Sequence, residues 1–364
     1  MVLRNKRIKK VGGAAASPAH GQSEKEQFGV LAYLSFSVVM LLTMVVCVCV
    51  GSVNIPISET VSVIWKAIVR EPLPESSAVS IILSVRLPRV LCVALTGAAL
   101  SLCGVAMQGL LKNPLADGST LGVSSGASLG AVIAIAFGIT IPAVPFAGTM
   151  VMAILFAFGS LVIILSLSYK LDYSLSTNTI ILIGVIFSMF VSSILSLVIT
   201  LAADKVQHIT FWTMGSLAGS NYRNALVLLG ALMIFGAAII WYARELNAFA
   251  VGEDNARHIG VNVKRVKLVI LIASSALIGV CVSIGGTIGF VGLVTPHMTR
   301  MIVGPNHRRL LPACIFGGAT FLMLCDLAAR TLLNPKELPI GVVTSFIGAI
   351  LFVVIFYQTR RGKS

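Results

Sequence analysis

Arg244 to Lys267, RELNAFAVGEDNARHIGVNVKRVK, is a charged island between two long apolar runs, and the rest of the chain is read outward from it. Its first part places Leu246, Phe249 and Ala250 on one face of a short helix, at the i, i+3, i+4 spacing of an amphipathic turn. A second short helix is expected next. There Glu253 precedes Arg257 by one helical turn, the favourable order for an ion pair, and Gly260 is placed to end the helix in a left-handed cap. Two short amphipathic helices joined by small residues make a docking surface; the competing reading is a solvated loop between two membrane helices.

The flanking runs set the class. A chain of 364 residues that is 57% hydrophobic and 11% charged, with mean hydropathy +0.98, cannot hide its apolar surface in one soluble core. It is expected in a bilayer, as an all-α polytopic membrane protein. A spanning helix needs about 20 mostly apolar residues, and such runs read near 28–50, 90–111, 119–138, 148–168, 179–201, 225–242, 267–286, 288–303, 310–330 and 339–357. That makes about ten transmembrane helices in one membrane domain, 28–360, preceded by a basic tail, 1–27, with no apolar period and expected to be disordered. Between the first two spans lies a polar segment with Pro56, Pro72, Pro74 and Pro88, and within it Glu59 to Val69 reads as a short interfacial helix.

Charge placement supports the count. With the N-terminus inside, the inner segments collect 19 of the 27 Lys and Arg residues and the outer segments 8, which agrees with the positive-inside rule for an even number of spans. Both termini and the island 244–267 are then expected in the cytoplasm, and the protein in the cell membrane. A net charge of +14 does not imply nucleic acid when the charges are distributed in this way.

No catalytic constellation can be assembled. The seven cysteines all fall inside apolar runs and read as small buried hydrophobes; the five histidines lack metal-site spacing, so no metal or other cofactor is expected. The terminal Gly362-Lys363-Ser364 looks like the end of a phosphate loop, but Tyr357 stands where its first glycine belongs and no helix follows. Asp326 is the exceptional acid within a span, and Arg330 one turn later makes it a structural pair in preference to a proton relay. A docking island without a nucleotide site points to energy from a separate ATPase subunit; the alternative is an ATP-independent secondary carrier.

Three further patterns invite two readings each. Gly118, Gly122, Gly126 and Gly130, like Gly285 and Gly289, recur every four residues, which on a helix face permits close packing and requires no chemistry. Ser188, Ser192, Ser196 and Thr200 put four hydroxyls on one face of the fifth span, either as interhelical glue or as the wetted wall of a path. Arg86 and Arg89, with Pro88 at the start of the next helix, and Arg330 belong at one outer rim, as interfacial anchors or as a receptor for carboxylates of an external partner.

At this point the chain resembles the permease subunits of the iron-siderophore, haem and cobalamin ABC importers, from about residue 30 to its end. The resemblance is carried by Arg86-Leu87-Pro88-Arg89, Gly97-Ala98-Ala99-Leu100, Met107-Gln108-Gly109, Asn113-Pro114-Leu115-Ala116 and Leu121-Gly122-Val123-Ser124-Ser125-Gly126-Ala127. It continues through Leu175-Ser176-Thr177, Trp212-Thr213-Met214-Gly215-Ser216-Leu217, Gly252-Glu253 and Ala256-Arg257, and Ile259-Gly260-Val261. Gly289-Phe290-Val291-Gly292-Leu293-Val294-Thr295-Pro296-His297 and Glu337-Leu338-Pro339-Ile340-Gly341-Val342 complete it. Each is weak alone; in this order together they are specific.

The resemblance implies the type II ABC importer permease fold, and two permease subunits, identical or paralogous, working with two ATPase subunits and an extracytoplasmic substrate-binding protein. It implies that Arg86, Arg89 and Arg330 receive acidic residues of the binding protein. Coupling to the ATPase would fall to Leu246, Phe249, Gly252, Glu253, Ala256, Arg257 and Gly260. Asn113, Leu115, Ser176, Thr177 and Asn178 match positions that narrow the path at its cytoplasmic end, and the stripe Ser188, Ser192, Ser196 and Thr200 would border the path between the two permeases. The expected cargo is an iron-siderophore complex, with haem and cobalamin as alternatives. ATP hydrolysis would belong to the partner, so the chain itself is not expected to be an enzyme.

Overall fold

Each of the ten apolar runs forms helix. The computed structural model describes residues 20–118, 121–141, 147–173 and 175–361. In order they form α1 (His20–Cys49), α2 (Ile57–Val69), α3 (Ser77–Ser80), a π-helical turn (Ile81–Arg86), α4 (Leu87–Leu111), α5 (Val123–Ala136), α6 (Ala147–Leu171) and α7 (Thr177–Leu201). A 3-10 turn (Ala203–Lys205) leads to α8 (Val206–Thr213) and α9 (Tyr222–Ala231), and a second π turn (Leu232–Gly236) joins α9 to α10 (Ala237–Trp241). Then follow α11 (Ala243–Val251), α12 (Glu253–His258), α13 (Val263–Gly285), α14 (Val291–Val303), α15 (His307–Thr331) and α16 (Ile340–Arg361). No β-strand occurs among the described residues.

Seven helical segments are long and apolar enough to cross a bilayer by length and composition. The other three expected positions hold α5, α14 and α16. With 14 and 13 residues, α5 and α14 span about 20 Å at 1.5 Å per residue, and non-helical backbone beside each must supply the remaining depth. Of the expected basic tail, residues 1–19 lie outside the described residues and His20 onward already belongs to α1; the C-terminal Gly362-Lys363-Ser364 also lies outside them.

The helix α4 is the axis of the fold. Twenty of its 25 residues are buried, with α13, α14 and α15 packed around it. Close approach explains its composition. Gly97 crosses Gly318 of α15, and Gly104 crosses Gly292 of α14, so that a methyl group at Gly97 or Gly104 would overlap the opposing backbone. The helices α5, α6 and α7 form a second group, α1 lies along α15, and α16 lies against α14 and α15.

Two expectations about local structure change. In the third span the helix begins at Val123. Gly122 adopts φ 72° as the N-cap of α5, so Gly118 and Gly122 lie before the helix, and of the expected stripe Gly126 and Gly130 sit in α5 against the α6 backbone. The second span does not begin at Pro88, because helix already runs from Ser77. Leu87 N–H bonds Ile82 C=O across the wide π turn, and that extra residue accommodates a proline whose ring would clash in a continuous α-helix. The expected interfacial helix is present as α2, and all seven cysteines are buried and unpaired.

Candidate functional site

The island folds as the two short helices α11 and α12, hinged at Gly252, whose φ 146° and ψ 145° suit no side-chain-bearing residue well. The second helix closes as expected. Gly260, at φ 88°, donates to Arg257 C=O at 3.0 Å and Val261 donates to Ala256 C=O at 3.0 Å, the paired bonds of a Schellman cap. The inward face differs from the reading by spacing. Leu246, Phe249 and Ala256 are fully buried, whereas Ala250 is exposed. These buried side chains anchor the island to the helices beneath it. What the island presents outward is Val251 and Ile259, 75% and 72% exposed, with Asp254 and Arg257 between them.

Glu253 does not pair with Arg257. Its Oε1 is 2.8 Å from Lys267 Nζ at the start of α13 and accepts a hydrogen bond from Thr177 Oγ1 at 3.2 Å. Arg257 lies 3.7 Å from Asp254, an exposed contact worth little. Tertiary proximity overrides the helical spacing because a fully buried ammonium at Lys267 needs a carboxylate more than a solvated guanidinium does. Sequence reasoning passed over Lys267 as the last charge of the island; a lysine followed at once by the apolar run of α13 was the signal. A second tie went unnoticed. Asn247 of α11 accepts from His307 N–H at 2.8 Å and donates to Asn306 Oδ1 at 2.9 Å, so the island is held to the start of α15 as well.

The five expected gate residues form two turns on the island face. Asn113 Oδ1 accepts from Leu115 N–H at 2.9 Å, an Asx-type turn that leaves Leu115 46% exposed beyond the end of α4. Ser176 is the N-cap of α7 and accepts from Thr179 N–H, Thr177 reaches Glu253, and Asn178 is exposed. Leu175, at φ 53°, sets up this cap.

Along α7 the expected hydroxyl stripe turns outward. Ser192, Ser196 and Thr200 are exposed, Ser188 is half-buried, and the first three bond the carbonyls of Ser188, Ser192 and Ser196 of their own helix at 2.9, 3.0 and 2.8 Å. Among the described residues these three hydroxyls bond within α7. Met189 is exposed on the same face, and Phe190, Leu197 and Leu201 are exposed further round the helix. Such a face offers weak polar groups and apolar area together.

On the opposite face the three arginines converge, but in the interior. Arg86, Arg89 and Arg330 are 4%, 6% and 3% exposed. Arg86 donates to the carbonyls of Val48, Cys49 and Val53. Arg89 donates to Asp326 Oδ1 through Nε and Nη2, and through Nη1 to Glu337 at 2.7 Å. Arg330 Nε lies 3.0 Å from Asp326 Oδ2, as the one-turn spacing implied, and Arg330 donates to the carbonyls of Val50 and Cys47. The cluster fastens α4, α15 and the end of α1 at one level. Glu337, with a third of its side chain exposed, is the acid of the cluster nearest solvent.

Between the two faces, a cavity of about 310 Å³ lies among α4, α5, α13 and the segment before α14. Thr96, Asp117, Ser124, Ser128 and Thr287 line it beside Leu100, Ile278 and Phe290. Among the described residues no group of three His, Cys, Asp or Glu is arranged to hold a metal ion.

Comparison with known proteins adds to this geometry. The family model of the FecCD transport family matches residues 39–358. An uncharacterised ABC transporter permease of Bacillus subtilis, YvrB, is 42% identical over 314 residues, 86% of this chain and 89% of that one. The molybdate import permease MolB of Haemophilus influenzae is 35% identical over 329 residues, 90% and 95% of the two chains. A solved inward-facing ABC transporter described as of metal-chelate type superposes with TM-score 0.79 at 33% identity, over 89% of this chain and 98% of that one.

Proposed function

This chain belongs to the FecCD transport family and is an ABC importer permease of that family, a multi-pass membrane protein, and we propose that it carries an iron-siderophore complex across the cytoplasmic membrane. The metal-chelate description of its structural neighbour and the uncovered, hydroxyl-striped face of α7 support this reading. A second copy or a paralogue pairs with that face, and the path lies between the two subunits, walled by Ser188, Ser192, Ser196 and Thr200. Weak neutral polar groups beside Met189 suit a bulky, mixed-polarity chelate, which must be neither held tightly nor excluded.

The island is the ATPase contact, with both termini on the same cytoplasmic side. Val251 and Ile259 make the apolar part of that contact and Asp254 and Arg257 its polar rim, while Leu246, Phe249 and Ala256 hold the island in place. Two ATPase subunits move the island in their nucleotide cycle, and the turns at Asn113, Leu115, Ser176, Thr177 and Asn178 widen or narrow the path. The arginine cluster lies beneath the docking surface of an extracytoplasmic binding protein. A carboxylate of that protein reaches Arg89 by exchanging with Glu337.

The test is ATP-driven uptake by the permease reconstituted with its ATPase and with binding protein loaded in turn with ferric siderophore, haem, cobalamin or molybdate. Uptake of the ferric siderophore alone supports the full reading. Uptake of one of the other three keeps the importer and replaces its cargo, and ATP-independent uptake by the permease alone overturns the coupling.

A further inference from the structure

Four residues from three parts of the chain meet on the island face. Lys267 Nζ, fully buried, pairs with Glu253 Oε1 at 2.8 Å and donates to Leu175 C=O at 2.9 Å. The same Glu253 oxygen accepts from Thr177 Oγ1 at 3.2 Å. Leu175 immediately precedes Ser176, the N-cap of α7. Apart from this contact α12 is lightly held, since Ala256 is its single buried residue. A buried ammonium separated from its carboxylate would be left uncompensated in an apolar surround, so Glu253 and the Leu175 carbonyl are constrained to move together about the Lys267 head group.

We propose that Lys267 is a transmission residue: it ties α12 to the 175–178 turn, so that displacement of α12 is carried directly to Ser176, Thr177 and Asn178. The inference rests on the coupling and gate roles proposed above, and it adds the atoms through which one acts on the other. Its chemistry is a shared carboxylate oxygen and a shared ammonium, which bind α12, α13 and the start of α7 at one point. Lys267 touches no substrate and acts as a positioning residue.

The test uses the assembled permease, ATPase and binding protein in proteoliposomes, with Asn178→Cys as a reporter. Asn178 is exposed and all seven native cysteines of the permease are buried, so labelling by a charged thiol reagent, read on the permease band, reports this position. In the parent the labelling rate is expected to change several-fold between the nucleotide-free and the ATP-vanadate states. Lys267→Met keeps the apolar stem and removes the charge, and the partly exposed Glu253 can hydrate. That complex should assemble and hydrolyse ATP, yet label at the same rate in both states and import several-fold less per ATP. Lys267→Arg, with charge and donors retained, should recover part of the response.

A Lys267→Met reporter that responds as the parent does overturns the inference. A parent reporter that fails to respond while the complex imports with ATP removes the gate role of Asn178 and this inference with it, an outcome separable from failure at Lys267 alone. If Lys267→Met does not assemble, Thr177→Val carries the test. It deletes the Thr177–Glu253 bond with the ion pair in place, and an unchanged labelling response and uptake per ATP would overturn the linkage.

Discussion

Arg89 and Asp326 stand 237 positions apart and share two hydrogen bonds, from Nε at 3.1 Å and from Nη2 at 2.9 Å, both to Oδ1. With Arg330 on the other oxygen, one buried carboxylate offsets two buried guanidinium groups and joins α4 to α15. A lipid-facing anchor would need those groups in solvent; here they lie buried at the end of the central helix.

Asp326→Asn should therefore destabilise the protein by about 3–5 kcal/mol, the cost of leaving buried charges uncompensated. Thermal unfolding of the purified permease in detergent measures this. A loss below about 1 kcal/mol would mean that Glu337 suffices to hold Arg89 and that the carbonyls of Cys47 and Val50 suffice to hold Arg330.

Glu337 shares Arg89 with Asp326 and is the more exposed acid. Glu337→Ala removes the internal competitor for Arg89 Nη1, so binding-protein affinity should rise about two- to five-fold, the scale of a partly exposed ion pair. The effect should shrink as salt is raised. An affinity that does not change, measured on the reconstituted permease, would separate the cluster from docking and leave it a purely structural clasp.

Val251 and Ile259 project from the island while Phe249 and Leu246 point inward. Val251→Asp with Ile259→Asp should abolish co-purification with the ATPase and shift the unfolding of the isolated permease by no more than about 0.5 kcal/mol, as exposed substitutions generally do. Glu253→Arg with Gly260→Val should also lose the ATPase, but with lowered stability, because it breaks the Lys267 pair and the Schellman cap. Retention of the ATPase by the first pair would move the contact elsewhere on the island.

The hydroxyls of Ser192 and Ser196 bond to their own helix, so Ser192→Ala with Ser196→Ala should alter stability by no more than about 0.5 kcal/mol. Ser196→Trp should leave the complex assembled and suppress uptake strongly. Normal uptake by this variant would place the path away from the stripe.

The sequence by itself determined the all-helical membrane architecture, because runs of about 20 apolar residues have no other stable form in hydrocarbon. Local patterns also carried α2, the two island helices and the Gly260 cap, since spacing and a left-handed glycine act within a few residues. The ordered motifs carried the family, which the FecCD match to residues 39–358 shows. The tertiary structure decided which charges meet. Spacing offered Glu253 to Arg257, but Lys267 takes it, because desolvation makes a buried cation the more demanding partner. Position put three arginines at an outer rim, and packing buries them there, Arg89 on an aspartate 237 positions away and Arg330 on a carbonyl 280 positions away. A repeat of glycines suggested one continuous stripe, yet Gly122 caps α5 and so cuts it. Pattern along the chain records what each segment does alone; burial assigns partners to its charges, and burial is a property of the assembled helices.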